Sequence, residues 1–274
     1  MSANAGYISP NMTLAQNTYT AGLLANLRFA VFTAGVDIAA SFRRTGLGTL
    51  WASLGLALAT AAMGTLFGTV LRQLLPDYDQ YVPYLVAGMI PWALLAGMLH
   101  QAAGQTWQYM AQLRHAALPL PAIMLRMLLR HMLIMAQNIA LAVLAQIFLL
   151  ETVSLAPLPL LLGSLLLIAN TAWISLLLGM LCARFRDMPQ LVAWTVHLAF
   201  FLTPVLWPAY FLSRFVWLAE INPLFQFVEL VRRPLLGQEV APLTWLCCAL
   251  LLVLGGSVTT LLYHRLRWRL PYWT

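Results

Sequence analysis

The sequence contains no lysine: all fifteen of its basic residues are arginine. A P-loop needs the lysine of GxxxxGK[ST] to reach nucleotide phosphates, so this chain carries no ordinary Walker A ATPase. If ATP drives it, the hydrolysing subunit is another chain. Charge of either sign is scarce as well, at 8% of 274 residues. A chain that folds in water covers its surface with charge on about a quarter of its residues. Here 62% of residues are hydrophobic and the mean hydropathy is +0.81, so the expected solvent is lipid. Cysteine is limited to Cys182, Cys247 and Cys248, all in or beside apolar runs. These lack the paired spacings of a disulfide framework or zinc site and read as buried free thiols acting as small hydrophobes. The stretch Met1 to Thr20 is polar, without the basic start and apolar core of a signal peptide, so insertion is expected to rely on the spans themselves.

What is abundant is long apolar runs. A helical crossing needs about 20 apolar residues, and six runs qualify: 48 to 71, 82 to 104, 122 to 150, 158 to 182, 190 to 212 and 243 to 263. The expected fold is therefore an all-α integral membrane protein. Between the fifth and sixth runs, Ser213 to Pro242 is too long and too apolar for a simple loop. It holds two short apolar pieces broken at Asn222-Pro223 and at Pro234. These are read as re-entrant half-helices entering from one side, a backbone tolerated only against protein or a water-filled cavity.

Arginine sets the direction by the positive-inside rule. With both termini inside, Arg28, Arg43, Arg44, Arg114, Arg126, Arg130, Arg184, Arg186, Arg265, Arg267 and Arg269 are cytoplasmic. Only Arg72, Arg214, Arg232 and Arg233 lie outside, a split of eleven to four. Asp77, Asp79, Glu151, Glu220, Glu229 and Glu239 fall on the outer side. Ahead of the first run, Leu27, Val31, Ala34, Ile38 and Phe42 recur at helical spacing, with Arg28, Thr33, Asp37, Ser41 and Arg44 opposite. That pattern describes a helix over about 22 to 45 lying in the headgroup layer; the competing reading is a seventh span that moves only the amino terminus.

At the junction of that helix and the first run stands "FRRTGLGTLW". Gly46 and Gly48 permit a sharp change of direction, while Arg43 and Arg44 stay at headgroup level because lipid excludes them. The longer stretch "VDIAASFRRTGLGTLW" resembles the amino-terminal signature of ABC-2 type permeases that export bacterial polysaccharides. Asp37, Phe42, Arg43, Thr45, Leu47, Gly48, Leu50 and Trp51 fall on the pattern. "CARFRDMPQLV" is similar to that family's cytoplasmic loop between the fourth and fifth spans, with Arg184, Phe185, Arg186, Asp187 and Gln190 in register. "FFLTPVLWP" followed by "NPLFQFVELVRRPLLG" resembles its outer gate, including Asn222, Pro223, Glu229 and Arg232. "RLRWRLPYWT" resembles its basic, aromatic ending. The four matches run in order from about Asp37 to the end.

The resemblance implies one ABC-2 type transmembrane domain over 1–274: a polar tail (1–20), an interfacial helix (22–45), six spans (48–263) and a cytoplasmic tail (264–274). Two copies would pair with two copies of a separate nucleotide-binding subunit, in the bacterial inner membrane with both termini cytoplasmic. The cargo would be a long glycan on a lipid carrier or anchor. ATP and magnesium would belong to the partner, leaving no cofactor, metal or catalytic residue on this chain, and no nucleic acid among its partners. Residues Gln105 to Pro121 join the second and third runs inside. A short helix there, Met110 to Ala117, would meet the ATPase through Met110, Leu113, Arg114 and His115, with Arg184, Arg186 and Asp187 as a second contact. Asp37, Arg43, Arg44, Gly48 and Trp51 would form the cytoplasmic gate. Arg126 and Arg130, one turn apart and so on one face, would greet an anionic headgroup or anchor their helix.

Aromatic rings offer sugars a sliding surface, because sugar C–H faces stack on them while hydroxyls stay wet. Trp92, Phe200, Phe201, Trp207 and Tyr210 are candidates for such a channel, or for core and interfacial packing. His100, Gln101, Gln137, Asn138, Asn170 and His197 within the spans act as interhelical glue or face a wet pore. A multispan enzyme acting on lipid-linked sugars would need a convergent set of acids, a metal or a nucleophile–base pair. Here the acids are few and scattered across loops, with no HExxH or GxSxG. A permease for a drug or another lipid is the closer alternative. "LPLPAIMLRMLL" leans toward capsule exporters, and "FFLTPVLWP" with the tryptophan-rich ending toward O-antigen exporters.

Overall fold

The structure is a computed structural model describing residues 31–36, 46, 48–74, 81–116, 120–150, 155–209 and 216–270; within these, side chains are described except at 71–74, 105–116, 149–150 and 218. Every regular element among them is helical. Eight follow the stretch at 31–36: α1 (Leu50–Leu74), α2 (Tyr81–Ala116), α3 (Leu120–Ala145), α4 (Pro157–Arg184), α5 (Met188–Leu202), α6 (Val216–Ile221), α7 (Pro223–Leu235) and α8 (Pro242–Leu266). A π-helical turn, Gln146–Leu150, extends α3.

Five helices are long and apolar enough to cross a membrane: α1, α2, α3, α4 and α8. They correspond to five of the six apolar runs and give the chain the build of a multi-pass membrane protein. The run at 190–212 behaves differently. Its helix, α5, has 15 residues and stops at Leu202. Thr203 precedes Pro204, whose ring disfavours the helical conformation in the residue before it, and Thr203 is extended at φ −91°, ψ 132°.

Helix α4 is central, touching α2, α3, α7 and α8, while α1 rests on α2 and α3 at the flank. The outward faces are apolar: Leu54, Leu58 and Leu66 on α1, and Leu250, Val253, Leu254 and Leu261 on α8 are exposed. A surface of that kind suits hydrocarbon rather than water. Inside, polar residues join helices. Asn170 of α4 donates to the Cys248 carbonyl of α8 at 3.1 Å and accepts from Trp173 at 3.0 Å. Gln137 of α3 donates to Ser53 Oγ of α1 at 2.6 Å. For these two residues the glue reading holds.

The connector expected at Gln105 to Pro121 does not begin at Gln105. Helix α2 continues without a break to Ala116, so Met110, Leu113, Arg114 and His115 lie on its last turns rather than on a separate helix. The segment 105–116 has neither glycine nor proline, and its alanines, glutamines and leucine are good helix formers. Hydropathy falls there, but helicity does not.

Candidate functional site

The short helices α6 and α7 divide at Asn222, where the sequence expects a break. The Asn222 side chain accepts from Leu224 N at 3.0 Å and Pro223 occupies the first turn, the arrangement that starts a helix well. The second break falls slightly later than Pro234, at Leu236 and Gly237, the latter with φ of 69°. Pro234 has no N–H, so the Leu230 carbonyl loses its helical donor. That carbonyl faces α4 at Gly163, where an added Cβ would stand 2.1 Å from it. The two backbones meet there without a side chain between them, a contact of the Cα–H···O kind. Ala156 N donates to the Pro234 carbonyl at 2.9 Å and Gln146 Nε2 to the Leu235 carbonyl at 3.1 Å. The end of α7 is thereby tied to the segment between α3 and α4.

Helix α7 is buried almost all round, including Glu229 at 5% and Arg232 at 1% exposure. An unpaired arginine there would be expensive, and its partners are close. Arg232 Nη1 lies 3.1 Å from Glu229 Oε1, and Arg233 Nε lies 2.5 Å from Glu229 Oε2. Arg232 Nη1 also donates to the Tyr84 hydroxyl, and Nη2 donates to the Pro204 carbonyl at 2.6 Å. The guanidinium lies 4.2 Å from the Tyr84 ring centroid. Its approach to α2 depends on Gly88, where a Cβ would stand 3.0 Å from Nε and Nη2.

The turn after α5 is thus held from three sides. Tyr81 donates to the Leu206 carbonyl at 2.7 Å, Tyr84 to the Pro204 carbonyl at 3.3 Å, and Asn222 Nδ2 to Thr203 Oγ1 at 3.2 Å. A second polar link joins α7 to α8: Thr244 Oγ1 donates to Gln226 Oε1 at 2.6 Å, and Gln226 Nε2 donates to the Glu220 carbonyl at 2.5 Å. Of the expected outer-gate residues, Asn222, Glu229 and Arg232 meet around one turn, with Pro223 shaping the approach. Tyr81, Tyr84 and Pro204 complete the knot.

The aromatic candidates separate. Trp92 is 8% exposed and packs on Phe200, ring centroids 5.4 Å apart, while Phe201 beside them is 62% exposed. Trp92 therefore sits in this chain's core. Phe201 belongs to an outward apolar face of α5 with Trp194, Leu198 and Leu202. Trp207 is half-buried and donates to the Phe201 carbonyl at 3.2 Å; Tyr210 lies outside the described residues. His100 of α2 and His197 of α5 meet edge to face at 5.3 Å, a second contact between those helices.

At the opposite end, Gly48 has φ of 55°, a left-handed turn just before α1, and Trp51 is exposed in that helix's first turn. Asp37, Arg43 and Arg44 lie outside the described residues. Within 31–36 the backbone is helical, with Ala34 buried and Val31 exposed. Arg126 and Arg130 are half-buried on the first turns of α3, and Arg184, Arg186 and Asp187 are exposed where α4 gives way to α5. Asp77 and Asp79 lie outside the described residues.

Among the described residues no group of three or more His, Cys, Asp or Glu comes together as a metal site. Glu229 is held between two guanidiniums. Compared with known proteins, the chain matches no protein-family model and no curated protein.

Proposed function

We propose that this chain is the transmembrane permease subunit of an ATP-driven ABC-2 type exporter. It moves a lipid-linked or lipid-anchored polysaccharide of the O-antigen or capsule class from the cytoplasm across a bacterial inner membrane. The observation that carries the reading is the broken helix pair α6–α7, folded back among the long helices between α5 and α8 and locked to the turn at 203–208 by Arg232. A bundle that only had to stay in a bilayer has no use for a polar knot buried beside an interrupted helix. A pathway that must open and reseal does. The sequence motifs on the same segment support the same assignment.

In this reading six crossings are counted, the fifth formed by α5 with the turn that follows it. Two copies meet along α1 and α5, whose exposed apolar faces include Leu58 and Phe201. The last turns of α2, with Met110, Leu113, Arg114 and His115, are the ATPase contact. The twelve residues Gln105–Ala116 extend the helix by about 18 Å. ATPase motion then reaches the core through one rigid rod, with Arg184, Arg186 and Asp187 as the second foothold. Asp37, Arg43, Arg44, Gly48 and Trp51 receive the lipid headgroup. The Glu229–Arg232 knot keeps the outer end closed until the rod moves.

The test is a deletion strain. Loss of one surface glycan, with its lipid-linked precursor accumulating in the inner leaflet, is the expected result. Intact surface glycans with a lost drug or lipid efflux activity would replace this cargo with another.

A further inference from the structure

On the flank of the bundle a groove of about 460 Å³ runs between α1, α2 and α3. Small residues create it: Ala57, Ala61 and Gly64 on α1 face Val86 on α2 and Ala142 on α3. It follows α1 from Ser53 to Thr65, twelve residues or about 18 Å of helix, a little more than the roughly 15 Å depth of one leaflet's hydrocarbon. A polymethylene chain, about 4 Å thick at carbon contact distance, fits a groove of this length and volume.

The polar groups in the groove sharpen its identity. Thr60 and Thr65 donate their hydroxyls to their own helix, at Leu56 O (2.7 Å) and Ala62 O (2.9 Å), leaving their methyl groups to line the wall. Ser53 accepts from Gln137. Asn138 is different: it lines the groove at 6% exposure, and its carboxamide makes no hydrogen bond among the described residues. An amide that meets apolar surroundings without a partner is costly. It sits beside Gln137, hence at the Ser53 end, whereas the other end, at Gly64 and Val82, is apolar. The site is a mainly apolar trough with one polar ledge.

We infer that this groove binds one acyl chain of a membrane phospholipid, with the Asn138 amide donating to the ester carbonyl and the tail running along Ala57, Ala61 and Gly64. The inference does not depend on the transport reading; it needs only the apolar flank and the groove. A lipid held there fills the space that keeps α1 off α3, and so fixes the angle of the flank helix.

The full chain is purified in mild detergent, stripped of lipid, and offered palmitoyl-oleoyl phosphatidylethanolamine, with binding followed by native mass spectrometry. One tightly retained lipid per chain is expected. Ala61→Phe and Ala142→Phe fill the trough and abolish retention, while Leu161→Phe, on the exposed face of α4, leaves it unchanged. Asn138→Leu preserves size and shape and weakens retention about fivefold, one hydrogen bond's worth. It also serves if the phenylalanine variants fail to fold. Equal retention by wild type, Asn138→Leu and a filled variant overturns the proposal. So does retention of a polyprenyl lipid in place of the phospholipid.

Discussion

Replacing Arg232 with methionine keeps most of the side-chain volume and removes the charge. Arg232 is 1% exposed, and its loss strips Glu229 Oε1 of its ion pair, the Pro204 carbonyl of its 2.6 Å donor and the Tyr84 ring of the cation above it. Removing one partner of a buried pair costs about 3–5 kcal/mol. Glu229 keeps Arg233, whose side chain is 39% exposed and 2.5 Å away, so the lower end, about 3 kcal/mol, is expected. Arg233→Met, on the wetter side, costs under about 1 kcal/mol. Glu229→Gln alone leaves Arg232 buried without a counterion. Combined with Arg232→Met it costs about 1–3 kcal/mol less than the two singles added, because one interaction is lost only once. Equilibrium unfolding of the purified chain by steric trapping reads all four variants. Strict additivity, or an Arg232→Met loss under about 1 kcal/mol, would refute a fastening role for the knot.

Three further outcomes are expected. Gly163→Ala places a methyl 2.1 Å from the Leu230 carbonyl, a backbone atom that moves only with α7, and should cost about 1–3 kcal/mol in the same assay; Gly104→Ala, with nothing within 4 Å, should be neutral or slightly stabilising. Phe201→Ala, at 62% exposure, should leave stability within about 0.5 kcal/mol and weaken surface glycan export at normal membrane levels, whereas buried Trp92→Ala should cost about 3–5 kcal/mol; unchanged export in Phe201→Ala removes that ring from the pathway. Arg114→Glu at the end of α2 should abolish ATPase assembly or stimulation in a pull-down, and intact assembly and stimulation would locate the contact elsewhere.

The helices were legible where hydropathy and backbone preference agree. Runs at 48–71, 82–104, 122–150, 158–182 and 243–263 each became a long helix because twenty or so apolar residues leave the backbone few other ways to satisfy its hydrogen bonds. The break at Asn222-Pro223 was legible from capping chemistry alone. Two elements were not. Hydropathy drops after Gly104 although α2 continues to Ala116, because solubility and helix propensity are separate properties. The apolar run at 190–212 conceals the stop at Leu202, which Pro204 imposes.

The candidate site shows the same divide. Glu229 and Arg232 are three residues apart on one helix, so their pairing can be read locally. Tyr84 lies 148 residues from Arg232, and Pro204 lies 28 away. Only the packing of α7 against α2 brings these groups together. A buried arginine demands acceptors, but a single sequence does not say which ones.

The central claim is that this chain is a conduit driven by a separate ATPase. Its most direct test is ATP hydrolysis by the purified chain, alone and then with whatever nucleotide-binding subunit co-purifies from native membranes. The account predicts no turnover by the isolated chain, and turnover by the complex that stimulates movement of the lipid-linked glycan. Hydrolysis by the isolated chain, or native membranes yielding it with no nucleotide-binding partner, would contradict it.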